Sequence, residues 1–198
     1  MTLRDPDIRA PLLVKLEREG QLTVTEFTVD GARADVIGLT HDKLVAYEIK
    51  SDTDTHVRLQ HQADAYDKIA THLYLVTTPK KLDKMMDIIP PWWGVLLAHE
   101  KKSGVAFQEH LDARPNPAWN LLVALQLLWT PELATLLARH QLPLREDRPK
   151  AVKTKRLAST LGEDTAKRIW LEQLHARYTE HPELRGPGKK FVALPRDI

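Results

Sequence analysis

Cysteine is absent from this chain of 198 residues. Its absence excludes disulfide bonds, thiolate zinc sites and cysteine nucleophiles, and it fits a reducing compartment. The chain also lacks the apolar run of about 20 residues that a membrane-spanning helix requires. Its polar N-terminal segment, MTLRDPDIRA, contains no apolar stretch typical of a signal peptide. We therefore expect a cytoplasmic protein without a membrane partner.

The chain has little net charge, +2, but the charge is unevenly distributed. Residues 141–198 contain 13 Lys and Arg against 8 Asp and Glu, whereas residues 1–140 contain 16 against 19. An acidic first part followed by a basic second part favours a polyanionic partner. Hydrophobic residues make up 42% of the chain, enough for the core of one domain with a helical appendage.

Hydrophobic periodicity in the first part of the chain predicts an α/β fold with a mixed sheet. On a strand at 22–29, alternation places Val24 and Glu26 on one face and Phe27 on the other. The strands before and after the first long crossover are expected to be parallel. The expected elements are a helix at 6–19, strands at 22–29, 32–39 and 44–50, a helix from Asp54 to about Ala70, a strand within 71–79, a helix at 80–88, and strands within 92–100 and 102–110.

Beyond residue 117 the pattern becomes helical. Gly162 is expected to form a hinge between the last two helices. The chain thus divides into a core at 1–115 and a helical, basic C-terminal region at 116–198. In the second region we expect helices at 118–129, 130–140, 153–160 and 163–178, a linker at 141–152, and an irregular basic tail at 186–198.

Three ionisable residues stand among apolar neighbours in the stretch Gly31–Lys50. Glu48 and Lys50 are two apart on a predicted strand, so they share a face, while Ile49 points into a core. If the preceding strand pairs with this one, Asp35 can lie beside Glu48. Two carboxylates and a lysine at a strand end suit a hard divalent cation with oxygen ligands, with an ammonium group alongside.

The order of Asp35, Glu48 and Lys50 on consecutive strands after a helix resembles the PD-(D/E)xK nuclease superfamily. Gln62 and Tyr66, on the helix that follows, resemble the Q-x-x-x-Y motif of its RecB-like branch. This resemblance implies a restriction-endonuclease-like αβββαβ core, extended here by C-terminal helices. It spans roughly residues 5–140.

Three segments resemble, more narrowly, a small bacterial and phage family of predicted nucleases. They are Gly31–Asp35, Tyr47–Thr55 and Pro90–Gly94. The proline that the superfamily places before its first acid is replaced by Ala34. This departure is common and leaves the expected site intact.

The resemblance implies a nuclease that hydrolyses phosphodiester bonds, with DNA as the expected substrate and partner, in a repair, phage or defence setting. Asp35 and Glu48 would bind Mg²⁺ or Mn²⁺ together with the Ile49 carbonyl. Lys50 would orient or deprotonate the attacking water, or stabilise charge at the phosphorus. Gln62 and Tyr66, four apart on one helix face, would bind a phosphate or hold Lys50. The residues expected to contact nucleic acid are Arg33, Arg58, Lys153, Lys155 and Arg156.

Several alternatives stay open at the level of sequence. Glu26 is a candidate third acid at the metal site, with Glu17 and Glu19 as rivals on the first helix. Arg33 could contact phosphate or form a salt bridge with one of the two acids. Asp52 and Asp54 are better explained as turn and cap residues than as ligands, and Trp92–Trp93 as core than as a base-stacking surface. The nine histidines are scattered and do not favour zinc.

The rival to a nuclease is a catalytically silent module of the same fold that binds nucleic acid or a protein partner. The expected protein partners are a second copy of the chain or a phage or host protein. A defence or phage-encoded effector that needs a partner protein for activity is compatible with the nuclease. A DNA-binding protein of this kind would be nucleoid-associated in the cytoplasm.

Overall fold

The computed structural model describes residues 2–29, 32–55, 59, 66–145 and 147–186. Its first part consists of α1 (Asp5–Arg18), β1 (Leu22–Val29), β2 (Ala32–Leu39), β3 (Leu44–Lys50), β4 (His72–Thr77), α2 (Leu82–Met86), β5 (Gly94–Lys101) and β6 (Gly104–Leu111). Its second part consists of α3 (Leu121–Leu125), α4 (Thr130–Arg139), α5 (Lys150–Leu161), α6 (Glu163–Glu180) and a 3₁₀ turn (Pro182–Arg185).

The six strands form one mixed sheet whose spatial order follows the sequence, β1 to β6. Strand β2 is antiparallel to both of its neighbours, β1 and β3. Strands β3, β4 and β5 are parallel, and β6 returns antiparallel to β5. The predicted parallel crossover between β3 and β4 is therefore confirmed. The mixed α/β fold with C-terminal helices is confirmed as well.

Each face of the sheet is covered by a separate hydrophobic core. Helix α1 covers one face, where its Ile8, Leu12 and Leu16 pack with residues such as Tyr47 and Ile49. The C-terminal helices cover the other face, and their side chains join a single cluster with those of β1 to β5. The regions at 1–115 and 116–198 therefore share one core.

Strand β1 departs from regular alternation at Glu26. Val24 and Phe27 are three apart, yet both belong to the core on the C-terminal-helix side, and the same holds for Ala34 and Ile37 on β2. Glu26 has a left-handed backbone with φ of 54°. The prediction that Phe27 faces away from Val24 is wrong, because this left-handed residue reverses the alternation.

The C-terminal helices differ from expectation in length. The helix predicted at 118–129 is limited to Leu121–Leu125, because Asn120 caps its N-terminus by accepting the Val123 N–H. Helix α5 begins at Lys150, inside the predicted linker, and α6 extends to Glu180. Gly162 separates them with φ of 76°, as expected of a hinge. Most of the helix predicted from Asp54 to Ala70, and most of the tail at 186–198, lie outside the described residues.

Among the described helices, none is both long enough and apolar enough to span a bilayer.

Two strand glycines make room for tyrosine rings. A Cβ at Gly94 would lie 2.5 Å from Tyr74 Cδ1 and 2.7 Å from the Ala113 amide nitrogen, and it would approach Tyr74 Cε1 more closely still. A Cβ at Gly38 would overlap the Gln21 side chain and lie 3.1 Å from Tyr47 Cε2. Glycine usually weakens a strand, so its use here indicates a close approach.

We expect Gly94→Ala to destabilise the protein by about 2 kcal/mol, because the added methyl group overpacks a buried strand against a ring and a backbone. Gly186→Ala is the matched control, since its Cβ would meet nothing within 4 Å. Denaturant unfolding of both variants checks this prediction. Equal stability of the two variants would contradict it.

Candidate active site

The end of β3 carries the predicted acid and amine on one face. Glu48 and Lys50 are buried, 2% and 7% exposed, and Lys50 Nζ lies 2.6 Å from Glu48 Oε1. Ile49 points to the opposite face and packs in the α1 core. The side-chain directions predicted for this strand are therefore confirmed.

Asp35 lies where β2 and β3 part. The ladder between them runs from Leu39–Leu44 to Val36–Tyr47, and Asp35 and Glu48 are the next residues on each strand. There the Ile49 N–H donates to Asp35 Oδ2 at 2.8 Å. The Asp35 carboxylate thus accepts the N–H that a backbone carbonyl would accept if the β2–β3 ladder continued. This hydrogen bond keeps Asp35 next to Glu48 at the point where the two strands separate.

Arg9 of α1 is a site residue that lies outside the predicted motif. Its guanidinium donates to Asp35 Oδ1 at 2.9 Å and to the Asp35 carbonyl at 2.8 Å. It also forms two bonds with Asp5, at 2.7 and 2.8 Å. The i, i+4 spacing of Asp5 and Arg9 on the first helix was the only signal of it in the sequence.

The two acids share a site that disfavours charge. Burial, and then the neighbouring charge of Asp35, raises the pKa of Glu48 to about 7, although Lys50 and Tyr66 oppose the shift. Burial also raises the pKa of Asp35, against the Ile49 N–H and Arg9. Burial acts to lower the pKa of Arg9, but Asp5 and Asp35 outweigh it and raise that pKa above its ordinary value.

Tyr66 supports the acid on β3. Its hydroxyl donates to Glu48 Oε2 at 2.7 Å, and its ring is fully buried. The structure therefore places Tyr66 on Glu48, whereas the sequence suggested a phosphate or Lys50. Gln62 and Arg58 lie outside the described residues.

Glu26 and Arg33 flank the site without joining the acid pair. Glu26 lies across from Asp35 at the one position missing from the β1–β2 ladder. Its carboxylate turns to Arg33, with 3.3 Å between Oε2 and Nη1, and the Arg33 side chain is 61% exposed. Arg33 thus forms its salt bridge with Glu26, not with Asp35 or Glu48, which the sequence offered as one of two alternatives beside a phosphate contact.

The donor set fits a hard divalent cation. Asp35, Glu48 and the Ile49 carbonyl would hold it, because carboxylate and carbonyl oxygens are the ligands that Mg²⁺ and Mn²⁺ prefer. A cation would also favour the charged form of Glu48, against the burial and the Asp35 charge that raise its pKa. Within the described ranges, no cluster of three or more His, Asp or Glu residues is placed for a metal. A metal here would rest on two carboxylates and a backbone oxygen.

The other predicted residues divide into exposed and buried groups. Lys155 and Arg156 of α5 are exposed, but Lys153 is only 3% exposed, so the prediction that it contacts nucleic acid is wrong. It lies on the buried side of α5, together with Thr154 and Leu157.

Three further predictions concern residues near the site. Trp93 is fully buried, which fits a core role. Asp52 accepts bonds from the Leu3 N–H, Thr78 and Lys80, and Asp54 accepts from the Ser51 N–H and hydroxyl. Asp54 is therefore a turn residue as predicted, whereas Asp52 joins the N-terminal segment to the segment that follows β4.

The chain belongs to the Bacteriophage P4 protein cII family, whose model matches residues 1–184. No curated protein matches it significantly. A solved structure, the SPO1766 protein of unknown function from Silicibacter pomeroyi, is similar over 95% of this chain and 99% of its own, with 16% identity and a TM-score of 0.43.

We expect Glu26→Gly to stabilise the protein by about 1 kcal/mol, because glycine adopts a left-handed backbone without the steric cost of a side chain. Glu26→Ala is the control: it removes the ion pair with Arg33 but keeps the strain, so its stability should change by less than about 0.5 kcal/mol. Thermal unfolding at one pH separates the two. If the glycine variant is no more stable than the alanine variant, the left-handed backbone of Glu26 is not strained.

We expect Arg9→Met to cost about 2 kcal/mol, because it leaves Asp35 without its cation in a buried site. The expected loss of stability is smaller than for a fully buried ion pair, since the Arg9 and Asp35 side chains are 21% and 17% exposed. Lys15→Met is the matched control on the same helix, where an exposed pair with Glu19 contributes little. Urea unfolding measures both, and similar losses would show that Arg9 does not support Asp35.

Proposed function

We propose that this protein is a metal-dependent nuclease that hydrolyses phosphodiester bonds in DNA. The observation that carries the proposal is the convergence of Asp35, Glu48 and Lys50 at the point where β2 and β3 separate. Two adjacent carboxylates with an ammonium group 2.6 Å from one of them match the groups that phosphodiester hydrolysis requires.

Each residue has a distinct task in this proposal. A bound divalent cation supplies a Lewis acid and lowers the pKa of an attacking water. Asp35 and Glu48 present the oxygen ligands, and Tyr66 fixes the orientation of Glu48 through its 2.7 Å hydrogen bond. Lys50, beside an acid, stabilises negative charge that develops on the phosphoryl oxygens.

The described structure shows how the site is balanced without a cation. Arg9 neutralises Asp35, and Lys50 neutralises Glu48. These two pairs, with the Ile49 N–H and Tyr66, engage all four carboxylate oxygens. A divalent cation held by Asp35 and Glu48 would take the place of these ion pairs, and Arg9 and Lys50 would then be the cations placed to face a phosphate.

DNA is the proposed substrate because of the cations available near the site and on the helices. Arg33 lies two residues from Asp35 and is exposed, and Lys155 and Arg156 are exposed on α5. Exposed Lys and Arg side chains provide the sequence-independent, salt-dependent part of DNA binding.

A catalytically silent module is the second candidate. The observation that favours it is the same saturation of the carboxylates: four oxygens already paired within the protein need no metal to be stable. Such a protein would bind DNA through its cations and leave it intact.

The test is cleavage of double-stranded, single-stranded and branched DNA, each with Mg²⁺, Mn²⁺ or chelator. The wild type should cleave at least one form only when metal is present. Glu48→Gln and Lys50→Met should each lower the rate about 100-fold or more, because each removes a ligand or a charge from the reacting centre.

Glu180→Gln and Lys84→Met are the matched controls, since they make the same chemical changes at exposed positions. They should retain the wild-type rate. Cleavage that persists in both site variants would mean a contaminating nuclease. DNA binding without cleavage under either metal, together with no Mn²⁺ binding by calorimetry, would establish the silent module instead.

A further inference from the structure

A second concave site lies on the α1 face of the sheet, at the end of β3 and β4 away from Lys50. It is a cleft of about 600 Å³ between the end of α1, the β2–β3 turn and β6. Leu16, Val45 and Leu96 contribute its apolar lining, and charged side chains surround it. The proposed nuclease residues are not among its lining, so it is a separate site.

Two tyrosines in the cleft are held in fixed positions. The rings of Tyr47 and Tyr74 stack with centroids 5.6 Å apart and an angle of 13° between their planes. Gly94 provides the space for the Tyr74 ring, and Gly38 provides the space for the Gln21 side chain, whose amide is hydrogen-bonded to the Tyr47 hydroxyl. Glycine in a strand interior lowers the stability of the strand. Its presence in two strands beside these side chains indicates that their positions are tightly defined.

The hydroxyl of Tyr74 has more acceptors around it than it can satisfy. It lies 2.8 Å from Glu109 Oε1 and 3.4 Å from Asp112 Oδ1, while the Ala113 N–H donates to it at 3.3 Å. One hydroxyl proton serves only one of the two carboxylates at a time. Within the part of the chain that the structure describes, no ion pair includes either acid. The two carboxylates therefore present a local negative charge to the cleft.

The other charged side chains of the cleft do not cancel the negative charge of Glu109 and Asp112. The cleft is lined by four carboxylates and two lysines. One of the lysines, Lys15, is paired with Glu19 on α1. Burial lowers the pKa of His72, which is therefore neutral near pH 7. The cleft thus combines an apolar floor with an excess of two negative charges.

We propose that this cleft binds an organic cation, an alkylammonium or guanidinium group carried on an apolar chain. The charged group lies between Glu109 and Asp112, where each carboxylate accepts a hydrogen bond, and the alkyl chain lies on the apolar floor. The same chemistry is offered by a free aliphatic diamine and by a Lys or Arg side chain of a peptide.

The experiment titrates the wild-type protein with 1,5-diaminopentane by calorimetry, and in parallel with a short capped peptide that contains lysine and arginine. We expect saturable binding with a Kd of about 1 mM or lower for at least one probe, weakened by salt. Glu109→Gln combined with Asp112→Asn should weaken it at least about 10-fold, since both charged acceptors are lost.

Glu180→Gln combined with Asp83→Asn is the matched control, because it removes two exposed carboxylates that do not line the cleft. It should bind as the wild type does, and circular dichroism should show both double variants folded. Binding of the diamine alone would identify a small-molecule site, and binding of the peptide with competition by the diamine would identify a side-chain pocket. No binding of either probe, or equal weakening in the control, would overturn the proposal.

Discussion

Two buried carboxylates lie side by side where β2 and β3 separate, and the surrounding structure is arranged to balance their charge. A buried carboxylate without a partner costs several kcal/mol, so the fold depends on the cations that reach this point. Arg9 arrives from α1, on one face of the sheet, and Lys50 from the end of β3 itself. The acid pair therefore links the strand ends to a helix that is distant in sequence.

This arrangement relates stability to the proposed chemistry. Internal cations let Asp35 and Glu48 remain adjacent in a folded protein without any metal. Burial, and then the neighbouring charge of Asp35, raises the Glu48 pKa to about 7, so the carboxylate form of Glu48 is disfavoured in this site. A divalent cation is the kind of ligand that would favour the carboxylate form. Stability and function in this proposal thus depend on the same two carboxylates.

The sheet separates the two proposed sites. The acid pair lies at the carboxyl end of β3, where Lys50 pairs with Thr77 of β4. The tyrosine-lined cleft lies near the other end, where Val45 pairs with His72. The C-terminal helices complete the core on the face opposite α1, so they belong to the same folded unit as the strands.

The sequence by itself determined the order of the elements, the α/β class and the pairing of Glu48 with Lys50. These follow from local periodicity, in which residues two apart on a strand share a face. Only the tertiary structure decided that Arg9 neutralises Asp35, that Glu26 reverses the alternation of β1, and that Lys153 is buried. Each of these depends on contacts between elements far apart in the chain, which no local pattern encodes.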